Sequence, residues 1–180
     1  MGISITGGVK VPQGKFSVGP AALSGFRFWR LETTTSGSVG NGTSISELKM
    51  TFDASSNLLD SFTLTSIGGA FDAEFPITKI NDTIAEIVNA DSIGFVPVAN
   101  GFMDFYVDFG IGNEKEVSVY SIAPQAIVAP ASTLGNTTTG FKAHKSNNAI
   151  DWTLVKEFTS ISTGSPDWLA GVFRDFDLTT

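Results

Sequence analysis

The stretch from Gly140 to Phe158, GFKAHKSNNAIDWTLVKEF, predicts a β-hairpin. Two β-prone runs flank the polar tip Ser146-Asn147-Asn148, and the returning strand opens on Trp152. Asn and Ser favour tight turns because their side chains hydrogen-bond nearby backbone groups. The hairpin therefore predicts a pair of antiparallel strands near the C-terminal end of the chain.

A second strand is predicted from Gly101 to Gly110, where apolar and polar residues alternate. Strict alternation indicates a strand with one buried face, and the positions expected to be buried are Met103, Phe105, Val107 and Phe109. Weaker alternation marks runs around Leu48, Phe62, Val117, Trp152 and Phe176, and we expect Trp152 to lie in the core with Leu154. Many short strands separated by Gly, Asn, Ser and Thr clusters are typical of a β-sandwich.

Composition supports the same fold class. The 180 residues include 15 Phe and 19 Gly but only 16% charged residues, which are too few to coat long amphipathic helices. We therefore expect an all-β protein with one main domain at residues 25–180. The one candidate helix is the segment from Asp82 to Asn89, where Asp82 or Thr83 could serve as the N-cap.

Charge and residue inventory exclude several function classes. The net charge of -7 argues against nucleic acid as a partner, since phosphate binding needs a basic surface. The chain has no Cys, and therefore no disulfide or thiolate metal site. No segment approaches the ~20 apolar residues of a membrane span, and the first residues do not resemble a secretory leader. We expect synthesis in a cytoplasm without membrane insertion.

Residues 1–24 differ from the rest of the chain. Gly and Pro interrupt short β-prone pieces there, yet Ile3, Ile5, Val9 and Val11 alternate with other residues. Disordered chains avoid β-branched residues, which favours an N-terminal arm that docks on a partner or a neighbouring subunit. The alternative is an unattached tail, the common state of chain termini.

Residues suited to catalysis are sparse. His144 is the only histidine, and alternation places it on the strand face opposite Phe141, where a solvated surface role is expected. The carboxylate pairs Asp104/Asp108 and Asp175/Asp177 are expected to be solvated on polar strand faces, although paired carboxylates can also serve glycosidases. This inventory favours a protein that is not an enzyme.

Four short motifs together resemble a known family. The Gly140–Phe158 hairpin resembles the "S-N-D-G, W-T" hairpin of discoidin-like (F5/8 type C, galactose-binding-like) β-sandwiches, which are common as carbohydrate-binding modules. The other matching segments are Phe28-Trp29-Arg30-Leu31 with Ile45-Ser46-Glu47-Leu48 ("YWRL … ISEI"), Val88-Asn89-Ala90-Asp91 with Phe95 ("F-D-G-D … W"), and Phe105 to Gly110 ("W-x-x-D-L-G"). The first pair stands at the front here instead of at the C-terminus. That order resembles a circularly permuted form associated with virion proteins of tailed bacteriophages.

The resemblance implies a jelly-roll sandwich and two sites. Calcium ligands would come from Glu47, Asn89 and Asp91, with Asn89 replacing an aspartate of the family. The alternative is that Asn89 and Asp91 only shape their loop through side-chain hydrogen bonds to the backbone, while Glu47 pairs with a Lys or Arg. Trp168, which follows Ser165-Pro166-Asp167, would be the exposed ring that stacks on a sugar, with Phe95 second. An aromatic residue that caps the sandwich is the alternative for Trp168.

The resemblance also implies a biological setting. The protein would be a virion structural component in the tail, neck or capsid decoration, contacting other virion proteins through its arm and forming a homo-oligomer. Its ligand outside the particle would be a host cell-surface glycan, bound during adsorption. The alternative is a purely structural decoration or connector protein with no glycan ligand, and an enzyme such as a depolymerase is the least favoured reading.

Overall fold

The computed structural model describes residues 25–36, 42–82, 94–124, 137–162 and 172–179. The prediction of an all-β fold is confirmed. The described strands are β1 (Phe28–Ser36), β2 (Thr43–Ile45), β3 (Glu47–Phe52), β4 (Ser55–Leu58), β5 (Thr63–Gly68), β6 (Gly94–Val96), β7 (Asp104–Asp108), β8 (Val119–Ala123), β9 (Thr138–Ser146), β10 (Thr153–Phe158) and β11 (Arg174–Asp177). Two short 3-10 helices span Ile77–Asn81 and Val98–Asn100.

The strands form two larger antiparallel sheets and one small one. A five-stranded sheet has the order β10-β9-β1-β7-β5, and a four-stranded sheet has the order β11-β8-β3-β4. Strands β2 and β6 pair with each other as a two-stranded sheet. No helix in the described ranges is long and apolar enough to cross a membrane.

The inner faces of the two larger sheets meet in an aromatic core. Trp29 of the five-stranded sheet lies 6.4 Å, ring centre to ring centre, from Tyr120 of the four-stranded sheet. Phe141 bridges in the same way to Phe176 at 5.0 Å, with the rings edge to face. Edge-to-face contacts add to the energy of burial. The two sheets are therefore packed as a β-sandwich.

The predicted register of β7 is confirmed. The four side chains expected inside the sandwich, Met103, Phe105, Val107 and Phe109, are all buried. Their polar neighbours on the strand lie on the other, partly exposed face. The same alternation buries Leu48, Met50 and Phe52 along β3. Period-two patterns predicted these faces correctly because only one register removes the apolar set from water.

The predicted hairpin is also confirmed, with β9 and β10 as its two strands. Its tip is held by side chains, since the Ser146 hydroxyl accepts the N–H groups of Asn148 and Ala149 at 3.1 Å. The side-chain Oδ1 of Asn148 accepts those of Ile150 and Asp151 at 2.9 and 2.8 Å. Ala149 adopts a φ of 57°, which allows the chain to reverse.

The expectation that Trp152 lies in the core with Leu154 is wrong. Leu154 is 50% exposed, and Trp152 is half-buried on the outer side of the five-stranded sheet. The reason is the register, because Leu154 pairs with His144, whose neighbours Ala143 and Phe141 already face inward. A register shift between Leu154 and Lys156 then pairs Phe158 with Phe141, so that the end of β10 contributes a side chain to the inner face.

Several predictions fall largely on residues outside the described ranges. These are the N-terminal arm at residues 1–24 and most of the candidate helix from Asp82 to Asn89. Asp82 itself follows the 3-10 helix Ile77–Asn81 as its C-cap residue. The jelly-roll connectivity and the boundary between arm and sandwich stay predictions.

Candidate functional site

The site residues predicted from sequence are only partly described. Trp168, Asn89 and Asp91 lie outside the described ranges. Glu47 begins β3 with its side chain buried, and the N–H of Leu48 donates to its Oε1 at 3.2 Å. Within the described ranges no group of three or more acidic or histidine side chains could hold a metal ion. The calcium site, which needs the loop of Asn89 and Asp91, stays a prediction.

Phe95 lies in β6 of the two-stranded sheet. Its side chain is half-buried, and its ring meets that of Phe75 edge to face with 6.3 Å between centres. Glu47 stands instead on the four-stranded sheet. The described structure therefore keeps these two predicted residues on separate sheets, and the richest grouping of functional side chains is elsewhere.

That grouping lies on the outer surface of the five-stranded sheet. Arg30 of β1 pairs with Tyr106 of β7 on one side and with His144 of β9 on the other. Residues paired across strands share a sheet face, so alternate positions of these strands collect on one surface. We call this surface the Trp152 face: Phe28, Arg30, Glu32, Asp104, Tyr106, His144, Trp152 and Leu154.

The centre of the Trp152 face is a two-point ion pair. Arg30 Nε donates to Asp104 Oδ1 and Arg30 Nη2 donates to Asp104 Oδ2, both at 2.7 Å. The side chains are only 17% and 16% exposed, and the hydrogen bond to Asp104 raises the pKa of Arg30. Paired bonds of this kind fix the orientation of both planar groups. The guanidinium is thus presented in one orientation.

A second pair of the same geometry stands at the end of the sheet. Arg27 Nε and Nη2 donate to the two oxygens of Asp108 at 2.7 and 2.6 Å. The hydrogen bond raises the pKa of Arg27 and lowers that of Asp108. The expectation that Asp104 and Asp108 are merely solvated carboxylates is therefore wrong, because β1 places an arginine within reach of each.

His144 is also less exposed than expected. Its side chain is 12% exposed, and Nε2 lies 3.0 Å from Glu32 Oε2. Burial, helped by the charge of Arg30, lowers the pKa of His144 despite the carboxylate of Glu32. The neutral ring therefore donates its Nε2–H to Glu32, which also lies 3.4 Å from Arg30 Nη2. Alternation predicted the correct strand face for His144 but did not predict that its side chain is largely buried there.

The lowered pKa of His144 predicts a loss of stability in mild acid. The unfolded chain binds a proton near the ordinary value of 6.5, whereas the folded chain resists it. Unfolding is therefore favoured as the pH falls from neutral through that value toward the lower folded pKa. We expect the melting temperature to drop as the pH is lowered from neutral through the ordinary histidine value of 6.5, and His144→Gln to reduce this drop.

The pH range in which His144 affects stability differs from the range in which the carboxylates do. The lowered pKa of Asp108 gives stability that is lost only as the pH falls below the ordinary aspartate value of 3.8. Thermal unfolding of the wild type and of His144→Gln at several pH values measures the difference directly. Parallel pH profiles for the two proteins would contradict the assignment to His144.

Planar apolar groups border these polar pairs. The Trp152 ring lies 5.7 Å from that of Tyr106, tilted by 43°, and the Arg30 guanidinium lies 5.5 Å from its centre. Phe28 meets Tyr106 edge to face at 5.4 Å. Guanidinium and aromatic planes attract each other. The surface therefore combines rings with fixed hydrogen-bonding groups, the two features that sugar recognition needs.

Sequence reasoning missed this surface for one identifiable reason. It assigned Trp152 to the core, which removed from the outer face of the sheet the one tryptophan that the described ranges place there. The signal was present in the alternating polar positions Arg30 and Glu32 of β1 and Asp104 of β7. Their convergence depends on the pairing of distant strands, which alternation within one strand does not reveal.

Comparisons of the chain with protein-family models, with curated proteins and with solved structures give no match. By fold the chain is an antiparallel β-sandwich, and its outer sheet face carries aromatic rings beside fixed ion pairs.

Proposed function

We propose that this protein is a non-catalytic carbohydrate-binding β-sandwich and that the Trp152 face binds the glycan. One observation carries the proposal: the Trp152 ring stands beside Tyr106 and beside a guanidinium whose orientation is fixed by Asp104. An aromatic face can stack on the C–H face of a pyranose, while the adjacent polar groups bind its hydroxyls.

The charge arrangement on this face favours a neutral polar ligand over an anion. Arg30 is matched by Asp104 in two-point contact, and Glu32 adds a second carboxylate to the face. His144 is neutral because its pKa is lowered. Side chains that are already oriented lose little conformational freedom when a ligand binds. This low entropy cost favours the binding of sugar hydroxyl groups, each of which contributes little free energy.

We extend the proposal to a virion of a tailed bacteriophage, on the strength of the four motifs that resemble permuted discoidin-like modules. In that setting residues 1–24 would attach the sandwich to other virion proteins. Stacking of one sugar on one ring contributes on the order of 1 kcal/mol, so a single copy would bind weakly. A homo-oligomer in the particle would provide the multivalent display that retains a host cell-surface glycan.

The test compares two aromatic substitutions. Trp152→Ala should weaken adsorption of an oligomeric form of the protein to host-envelope fractions by about fivefold or more per site, since a stacking contact of roughly 1 kcal/mol is removed. The matched control is Phe102→Ala, because Phe102 is 42% exposed but lies outside the Trp152 face. Adsorption is measured by pull-down, with circular dichroism to verify the fold.

Equal binding by wild type and Trp152→Ala would remove the Trp152 face from the proposal. If neither monomer nor oligomer of the wild type binds any envelope fraction, the glycan function fails altogether. The protein would then be the alternative predicted from sequence, a structural decoration or connector of the particle. The number of copies of the protein in a purified particle would then distinguish a decoration from a connector.

A further inference from the structure

Strand β5 forms one edge of the five-stranded sheet. Among the described residues it pairs with β7 alone. Every second residue of an edge strand directs its N–H and C=O groups away from the sheet, so about three of the six residues of β5 offer both groups to a further strand. An edge of this kind fits an extended chain, which it binds through main-chain hydrogen bonds.

The sequence of β5 lacks the features that usually protect a sheet edge from pairing. Such edges are blunted by charged side chains, by proline or by short length. The opposite edge strand β10 contains Lys156 and Glu157, β11 contains three charged residues, and β4 has only four residues. Strand β5 has six residues, none of them charged or proline, and its Ile67 is 45% exposed. Of these four edge strands, β5 is therefore the most open to a further strand.

Residues 1–24 contain segments that suit this edge. Ile3 and Ile5 alternate with polar residues, and Val9 and Val11 flank Lys10. β-Branched residues of this kind favour strands. A β-branched side chain opposite Ile67 would also cover apolar surface that the described part of the chain leaves open to water.

The charges of the arm and of the sandwich are complementary. Residues 1–24 carry Lys10 and Lys15 and no acidic residue, which gives the arm a net charge of +2. Since the whole chain carries -7, residues 25–180 carry -9. Asp60, which precedes β5 by three positions, is exposed. A basic arm is therefore attracted to this edge, whereas two acidic sandwiches without an arm between them repel each other.

The arm joins the sandwich at a fixed point and is long enough to leave it. Phe26 exchanges two main-chain hydrogen bonds with Lys115, at 2.9 and 3.0 Å. Gly25 lies so close to Lys115 that an added Cβ would come within 2.7 Å of its backbone. A chain of 24 residues can span up to about 80 Å, and a five-stranded sheet is roughly 20 Å wide. The arm can therefore reach the sandwich of a neighbouring copy.

We propose that β5 is the docking site for the N-terminal arm of a neighbouring copy of this chain, which adds to the five-stranded sheet as a sixth strand. The inference names the contact that would build the homo-oligomer of the proposed function, but it does not depend on a glycan. Strand β10 is the other edge of the same sheet. Docking at β5 would therefore leave Trp152 uncovered in the oligomer.

The first test measures the oligomer of the full-length chain by analytical ultracentrifugation. Ile67→Lys places a charge on the edge and opposite a basic arm, so the dissociation constant should rise about tenfold or more. The matched control is Ile150→Lys, because Ile150 is 79% exposed but lies at the tip of the β9–β10 hairpin. Its dissociation constant should stay unchanged, and circular dichroism verifies the fold of both variants.

Two results of this test would overturn the proposal. One is a wild-type protein that is monomeric at every concentration measured. The other is an oligomer that Ile67→Lys and Ile150→Lys weaken equally or not at all, since the interface would then lie away from β5.

The second test identifies the strand that docks. The chain has no Cys, so introduced thiols report single positions. A variant with Ile5→Cys is mixed with a variant with Ser66→Cys, an exposed position of β5, and the mixture is oxidised. Mass spectrometry should find a disulfide between the two different variants. Ile3→Cys and Val9→Cys replace Ile5→Cys to cover other registers.

The other occupants of β5 give different products. Links only between two copies of Ser66→Cys would show β5 paired with itself. A link within single chains of a double variant with Ile5→Cys and Ser66→Cys, but none in the mixture, would place the arm on its own sandwich. Either result, or no link from any position of the arm, would overturn the proposal.

This inference and the glycan proposal can fail separately. If Ile67→Lys leaves the oligomer intact while Trp152→Ala still weakens adsorption to envelope fractions, the docking site fails and the proposed function stands. If the arm of one copy links to β5 of another in a protein that adsorbs to no envelope fraction, the docking site is supported and the proposed glycan function is overturned.

Discussion

Phe105→Ala is expected to destabilise the protein by about 3–5 kcal/mol, the usual cost of emptying a buried phenylalanine site. The Phe105 ring has no exposed surface and lies in the aromatic and aliphatic core between the two sheets. Strand β7 is paired on both sides, so the surrounding backbone has little freedom to close the space. Urea unfolding measures the loss from the change in midpoint.

The neighbouring residue supplies the control. Tyr106 is half-buried on the outer face, where its ring contacts Phe28 and Trp152. Tyr106→Ala removes a similar volume but leaves no cavity in the core, so the loss should be much smaller. Equal losses for the two variants would contradict the register of β7 and with it the composition of the Trp152 face.

Arg30→Ala is expected to destabilise the protein by about 1–2 kcal/mol. Hydrogen bonds to charged groups contribute about 1.5–3 kcal/mol each, and partial exposure to solvent reduces this value. The pairing of β1 with β7 sets Glu32 directly opposite Asp104, and Arg30 contacts both carboxylates. Its removal leaves two like charges facing each other across the strands, which is unfavourable. Urea unfolding at low and high salt measures both contributions.

Arg27→Ala is the matched control for this prediction. Arg27 makes the same two-point contact with Asp108, but the two side chains are 28% and 27% exposed. Its loss should therefore cost less and should not alter the surroundings of Trp152. Salt should reduce the destabilisation by Arg30→Ala, because it screens the repulsion between Glu32 and Asp104. A larger effect for Arg27→Ala would show that the ion pair under Trp152 contributes little.

The sequence was sufficient to predict the fold class and the faces of individual strands. Burial of alternate residues in β7 and β3 followed from period two, since apolar side chains at those positions have only one sheltered side. The hairpin of β9 and β10 followed from its Ser-Asn-Asn tip, whose side chains bind the backbone of the turn. These features depend on neighbours along the chain.

The candidate site depended on partners that are distant along the chain. Alternation placed Trp152 and Leu154 together correctly but could not choose their side of the sheet, which is set by the pairing of Leu154 with His144. Nor could it show that Arg30 reaches Asp104, 74 positions away. The predicted roles of Trp168, Asn89 and Asp91 stay predictions, because these residues lie outside the described ranges.

The position of β1 in the middle of the five-stranded sheet has a consequence for how the chain is made. Glu32 and the His144 it contacts are separated by 112 positions, so β1 leaves the ribosome long before its partners β7 and β9 exist. At about 5–20 residues per second, synthesis leaves this strand with two open edges for several seconds. The five-stranded sheet cannot close until the hairpin of β9 and β10 has been made. Sandwiches with distant strand pairings fold in milliseconds to seconds, and we expect this folding to follow the synthesis of the hairpin rather than to accompany it.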